Sequence, residues 1–136
     1  MGDNAGMTEQ TCATPSSMRP HIALYSHDTM GLGHIRRNTL IAQTLIQPPL
    51  SAQVLLVSGI RESGAFALPP GIDSITLPAY RKRLDGNYTA RALDMPLEQL
   101  VALRSQTILA ALTAFAPQLL IVDNVPRGAL SELDTV

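Results

Sequence analysis

Gln53–Ser58 reads QVLLVS, an apolar run with almost no polar alternation. A strand that faces water on one side alternates. A strand buried on both faces does not, and such strands belong to parallel sheets covered by helices on each side. Three more short runs share this character: His21–Ser26 (HIALYS), Ser74–Leu77 (SITL) and Leu119–Val122 (LLIV). Helical patterns lie between them. Ile35 to Gln47 places Ile35, Ala42, Leu45 and Ile46 at helical spacing and stops at Pro48-Pro49. Pro96 to Phe115 starts with a proline suited to a first turn and carries one stripe: Leu97, Leu100, Val101, Ile108, Ala111, Leu112 and Phe115. Residues 61–73 read as a connection with room for a short helix, and Pro78 to Asp94 as a polar loop. Arg127 to Leu133 reads as the start of a further helix.

Strands alternating with helices define the α/β class, here a Rossmann-like parallel sheet with flanking helices. Right-handed crossovers give the strand order 3-2-1-4. Ligands of such sheets bind beyond the carboxyl ends of the strands, where the order reverses. That point lies between strands one and four. The loops there are Ser26–His34 and Asp123–Arg127, which are expected to converge on one crevice.

Strand four is apolar throughout yet falls at a sheet edge, a position natural proteins protect. Residues 19–136 are therefore expected to form part of a larger domain, preceded by a disordered, small and polar tail over 1–18. Charged residues make up 15% of the chain, below the roughly 25% of ordinary domains, as expected of a surface that is partly covered. Net charge is −1, which gives no case for a nucleic-acid partner or an acidic membrane surface. The single cysteine, Cys12, allows no intramolecular disulfide, and no secretory signal precedes the first strand. A cytoplasmic location is the expectation.

Ser26–Asn38 (SHDTMGLGHIRRN) carries the candidate chemistry. Gly31 and Gly33 stand where strand turns to helix and let a ligand approach the backbone. The first N–H groups of the helix would meet a phosphate or a sugar hydroxyl. Arg36 and Arg37 add cations where the helix dipole disfavours them, which makes sense if an anion sits nearby. A phosphate-binding P-loop needs Gly-Lys-Ser/Thr, but Gly33 is followed by His34. A dinucleotide fingerprint needs a third glycine where Arg36 stands, and no acid for a ribose follows strand two. His34 is the expected catalytic base, and a capping histidine is its plainer alternative. His27 and Asp28 are placed to orient His34 or bind substrate, with Asp28 equally suited to a turn. No Cys/His cluster supports a metal site. Asp123 ends strand four as a second candidate, or as the cap of the next turn.

The run SHDTMGLGHIRRN resembles the first glycine loop of glycosyltransferases with the two-domain GT-B fold. The nearest group is that of predicted bacterial glycosyltransferases related to the peptidoglycan N-acetylglucosaminyl transferase. Ser58–Tyr80 (SGIRESGAFALPPGIDSITLPAY) and Phe115–Leu133 (FAPQLLIVDNVPRGALSEL) resemble later segments of the same group. The resemblance covers residues 20–135. It implies the acceptor-side N-terminal half of a GT-B fold, with a nucleotide-sugar donor held mainly by a second, C-terminal domain. The acceptor would be a sugar, a lipid or a small molecule, and no cofactor is implied. His34 maps onto the glycine-loop histidine, Gly31 and Gly33 onto glycines facing the cleft, and Asp123 and Arg127 onto the loop across it. The resemblance also places Arg81, Lys82 and Arg83 near the cleft, within reach of an acceptor phosphate or lipid headgroup, hence a peripheral membrane contact. A nucleotide-sugar hydrolase, with His34 activating water, and a non-catalytic α/β module are the alternatives. A receiver-like module fits least, because Asp28 lacks a paired acid. Arg104, close to the apolar stripe, reads as a snorkelling arginine.

Overall fold

A computed structural model describes residues 18–27, 33–60 and 67–136. The elements run β1 (His21–Ser26), α1 (Gly33–Leu45), β2 (Gln53–Ser58), β3 (Ile72–Thr76), β4 (Tyr80–Lys82), β5 (Tyr88–Ala90), α2 (Leu97–Phe115) and β6 (Leu119–Asp123), and a short 3-10 turn spans Ala129–Ser131. The main sheet has the order β3-β2-β1-β6, and every pairing in it is parallel. This is the expected Rossmann-like arrangement, with β6 as the fourth strand. The expected tail, Met18 excepted, and residues 61–66 of the connection after β2 lie outside the described residues.

Side-chain alternation along the strands divides the core in two. Ile22 and Leu24 of β1 and Val54 and Leu56 of β2 pack with Ala42 of α1. Tyr25 and Val57, one residue out of phase, pack with Ile108 of α2 and with Leu77. The strands thus bury both faces, which is why QVLLVS shows no alternation. Strand registers align Thr76, Ser58, Ser26 and Asp123 in one row, so each strand of the sheet ends on a polar residue.

Four expectations need correction. Pro78 to Asp94 is not all loop, because Tyr80–Lys82 and Tyr88–Ala90 pair antiparallel as a hairpin turned by Asp85, Gly86 and Asn87. Strand three starts earlier, at Ile72. Arg127 to Leu133 forms no regular helix: Gly128 and Leu130 both take positive φ, and only a 3-10 turn results. Arg104 does not snorkel. It lies four residues from both Leu100 and Ile108, on the centre line of the buried stripe, and is fully buried.

Arg104 is held by Glu132, itself fully buried. Its Nε donates to Glu132 Oε2 at 2.6 Å and its Nη2 to Oε1 at 2.7 Å. Its Nη1 donates to the carbonyl of Pro78 at 2.6 Å, and its guanidinium covers the Tyr80 ring. Tyr25 and Tyr80 both donate hydroxyl protons to Glu132, and Tyr25 Oη accepts from the Ala129 amide. Burial would lower the guanidinium's pKa, and the bonds and charge of Glu132 more than offset it.

A buried pair stripped of one member leaves an unmatched charge. Arg104→Met should therefore lower unfolding free energy by about 3–5 kcal/mol in urea melts, and Arg104→Met with Glu132→Leu should lose less than the two single changes summed. The tyrosines add a pH signature. Burial first, and the Glu132 charge second, raise both tyrosine pKa values well above the usual value of 10.0. A raised folded pKa gives stability that is intact below the unfolded value and is lost as pH rises past it. Thermal melts should fall above about pH 10, and Tyr25→Phe or Tyr80→Phe should flatten that fall.

Candidate functional site

The carboxyl edge of the sheet, between β1 and β6, is the topological switch point. Two elements deliver side chains to it. Ile35, Asn38, Thr39 and Ala42 are buried and fix α1 against the sheet, so its opposite side carries His34, Arg36 and Arg37 outward. Asp123 is held by its register with Ser26.

His34 and Asp123 meet there. His34 Nδ1 lies 2.8 Å from Asp123 Oδ2, and Arg37 donates through Nη2 to Asp123 Oδ1. The carboxylate can only accept, so Nδ1 carries the proton of that bond. The 3.1 Å approach of Arg37 Nη2 to the same Nδ1 is then a close contact between donors. In the neutral ring, a proton on Nδ1 leaves the lone pair on Nε2, and the His34 side chain is one-third exposed at 33%. Asp123, by contrast, keeps only 10% of its side-chain surface. Its pKa is lowered, chiefly by the hydrogen bond from Arg37 and further by His34, against the opposing effect of burial. No acid stands in the first turn of α1. Asp123 supplies the missing negative charge from the neighbouring strand.

The His27 ring sits 5.6 Å from the His34 ring, and its Nδ1 is buried with no hydrogen-bond partner among the described residues. A Cβ on Gly33 would meet open space, so this glycine leaves room in front of the helix. Arg36 is exposed beside Thr39, Leu40 and Gln43 around a shallow hollow of 290 Å³. Arg127 does not join the cluster: its guanidinium pairs with Asp134, with Nε donating at 2.7 Å. Asp28 and Gly31 lie outside the described residues. The structure thus brings His34, Arg37 and Asp123 together and leaves Arg127 apart. Among the described residues, no group of three His, Cys, Asp or Glu side chains could hold a metal ion, and no helix is long and apolar enough to cross a membrane.

Sequence reading foresaw neither the Arg37–Asp123 pair nor the closeness of Gly59 to Arg104. A Cβ on Gly59 would lie 2.7 Å from the His27 carbonyl and 3.1 Å from Arg104 Nη1. A side chain at this position would collide first with the His27 backbone and then crowd the buried guanidinium. Comparison with family models, curated proteins and solved structures gives no match.

Asp123 gives a second pH signature. Its folded pKa is below the ordinary carboxylate value, so its contribution to stability is complete above that value and is lost as pH falls through the folded one. Melting temperatures followed from neutral pH into acid should fall less steeply for Asp123→Asn than for the parent. A parallel fall in both would show that Asp123 carries none of the acid sensitivity.

Proposed function

We propose that this chain is the acceptor-side part of a glycosyltransferase, with His34 as the general base. The observation that carries the reading is the 2.8 Å pair between His34 Nδ1 and Asp123 at the sheet's switch point. A carboxylate on one ring nitrogen fixes the tautomer and aims the other at substrate. In the reaction, an acceptor hydroxyl gives its proton to Nε2 as its oxygen bonds to the anomeric carbon of the donor sugar. The bond from that carbon to the nucleotide phosphate breaks, and the nucleotide leaves. Arg36, exposed in the first turn of α1, is placed to meet an anionic group of substrate. Supporting the reading are the glycine loop, the sheet order, and the resemblance of three segments to GT-B enzymes. A second domain would hold most of the nucleotide-sugar donor.

His34→Ala should lower transfer by about 10²–10⁴-fold, the usual worth of a positioned base, with the fold intact. Asp123→Asn should lower it less, because the ring remains. Transfer from a panel of nucleotide sugars, measured with and without acceptor, is the assay. An unchanged rate in His34→Ala removes the base from the mechanism. Nucleotide release that needs no acceptor would instead make water the nucleophile, and the activity hydrolysis.

A further inference from the structure

A second histidine stands at the carboxyl edge of the sheet, outside the His34–Asp123 pair. His27 directly follows Ser26, the last residue of β1. Its backbone is held there from β2. The Gly59 amide donates to the Ser26 carbonyl at 3.3 Å, and the His27 carbonyl lies against Gly59, where a Cβ would come within 2.7 Å of it. The His27 ring meets the His34 ring with centroids 5.6 Å apart and planes tilted by 45°. Yet its Nδ1 is buried and has no hydrogen-bond partner among the described residues. An unmatched buried polar atom destabilises a fold, and a phenyl ring would avoid that cost. Orphaned donors are rarer in folded proteins than under-satisfied acceptors, which assigns the lone pair to Nδ1 and the ring proton to Nε2.

We propose that His27 is a positioning residue for His34, resting this on the reading of His34 as the general base. The His27 ring fixes the plane of the base, and its unmatched nitrogen answers the charge that the base acquires. Asp123 holds His34 at one atom, Nδ1, and a ring can still swing about a single hydrogen bond. The tilted contact with His27 supplies the second constraint, which aims Nε2. Charge gives the nitrogen its part. At rest Arg37 and Asp123 offset one another, and a base must start neutral. When Nε2 takes the acceptor's proton, the ring becomes an imidazolium beside the Arg37 guanidinium, and one carboxylate then serves two cations. His27 brings to that imbalance a polar ring whose Nδ1 has no competing partner among the described residues. An interaction that is idle at rest and favourable once charge develops lowers the barrier and leaves substrate binding as it was.

Substitutions at His27 test this. His27→Phe keeps a ring and removes both nitrogens. Its kcat for transfer should fall about tenfold with KM for the acceptor unchanged. It should melt no lower than the parent, because no buried nitrogen is left unmatched. His27→Ala removes the ring as well. The ring signals of His34, followed by NMR in the isotopically labelled chain without substrate, should form one set in the parent and in His27→Phe. In His27→Ala they should split or broaden. That measurement needs no turnover. His34→Ala in the same transfer assay separates the two readings: transfer that survives it removes the base, and the role of His27 with it. Transfer lost in His34→Ala but parental kcat in His27→Phe overturns the proposal and leaves the base standing. A raised KM with parental kcat also overturns it, since His27 would then be a substrate contact. So does a single, unaltered set of His34 signals in His27→Ala.

Discussion

The buried pair of Arg104 and Glu132 ties together segments that the sheet alone would leave separate. Arg104 comes from the middle of α2 and Glu132 from the turn beyond β6, and both are fully buried. Around them converge Tyr25 at the end of β1, Gly59 after β2, the Pro78 carbonyl after β3 and Tyr80 of β4. Removing two charges from water is costly, and the cost is offset only if each remaining donor and acceptor is matched. Here the carboxylate accepts from the guanidinium twice and from two tyrosines. An ammonium in place of the guanidinium could not span both carboxylate oxygens and the Pro78 carbonyl, because it lacks the planar fork.

That anchor also bounds the candidate site. Asp123 is fixed on its N-terminal side by pairing with β1. Beyond it the chain turns back at once: the Gly128 amide donates to the Val125 carbonyl at 2.8 Å, and the Ala129 amide bonds Tyr25. A Cβ on Gly128 would lie 2.7 Å from Leu133 and 3.0 Å from the Tyr25 hydroxyl, so the turn closes tightly over the network. The carboxylate that orients His34 is therefore held by a strand on one side and a buried ion pair on the other. Under the proposed function, that is the degree of support a catalytic group needs.

The sheet was legible because its signal is collective. QVLLVS and HIALYS are long enough for two-face burial to show in the sequence, and both strands match their expected bounds, Gln53–Ser58 and His21–Ser26. The hairpin was missed because strands of three residues have no measurable period, although Asp85-Gly86-Asn87 is a turn signal in its own right. Arg104 was misread for a different reason. Its spacing from Leu100 and Ile108 already put it on the buried face, but its partner is 28 residues away, in a segment that reads as helix and is not. At the cleft, His34 and Asp123 could be singled out one by one. Their contact spans 89 residues and follows from the strand order, not from any local pattern.

The two arginines of α1 show how the fold divides a local conflict. Both stand in a first turn that has no acid, where the helix dipole opposes positive charge. Arg37 is relieved by Asp123. The same bond lowers the carboxyl's pKa and so keeps it an acceptor for His34. Arg37 thus belongs to the support of the dyad. No carboxylate among the described residues does the same for Arg36, which stays exposed one residue away. An anion brought to this helix by a substrate would relieve Arg36 and satisfy the first amides in one step. On the proposed function, the unfavourable charge left in place at Arg36 is therefore the one that would meet the anion of a substrate.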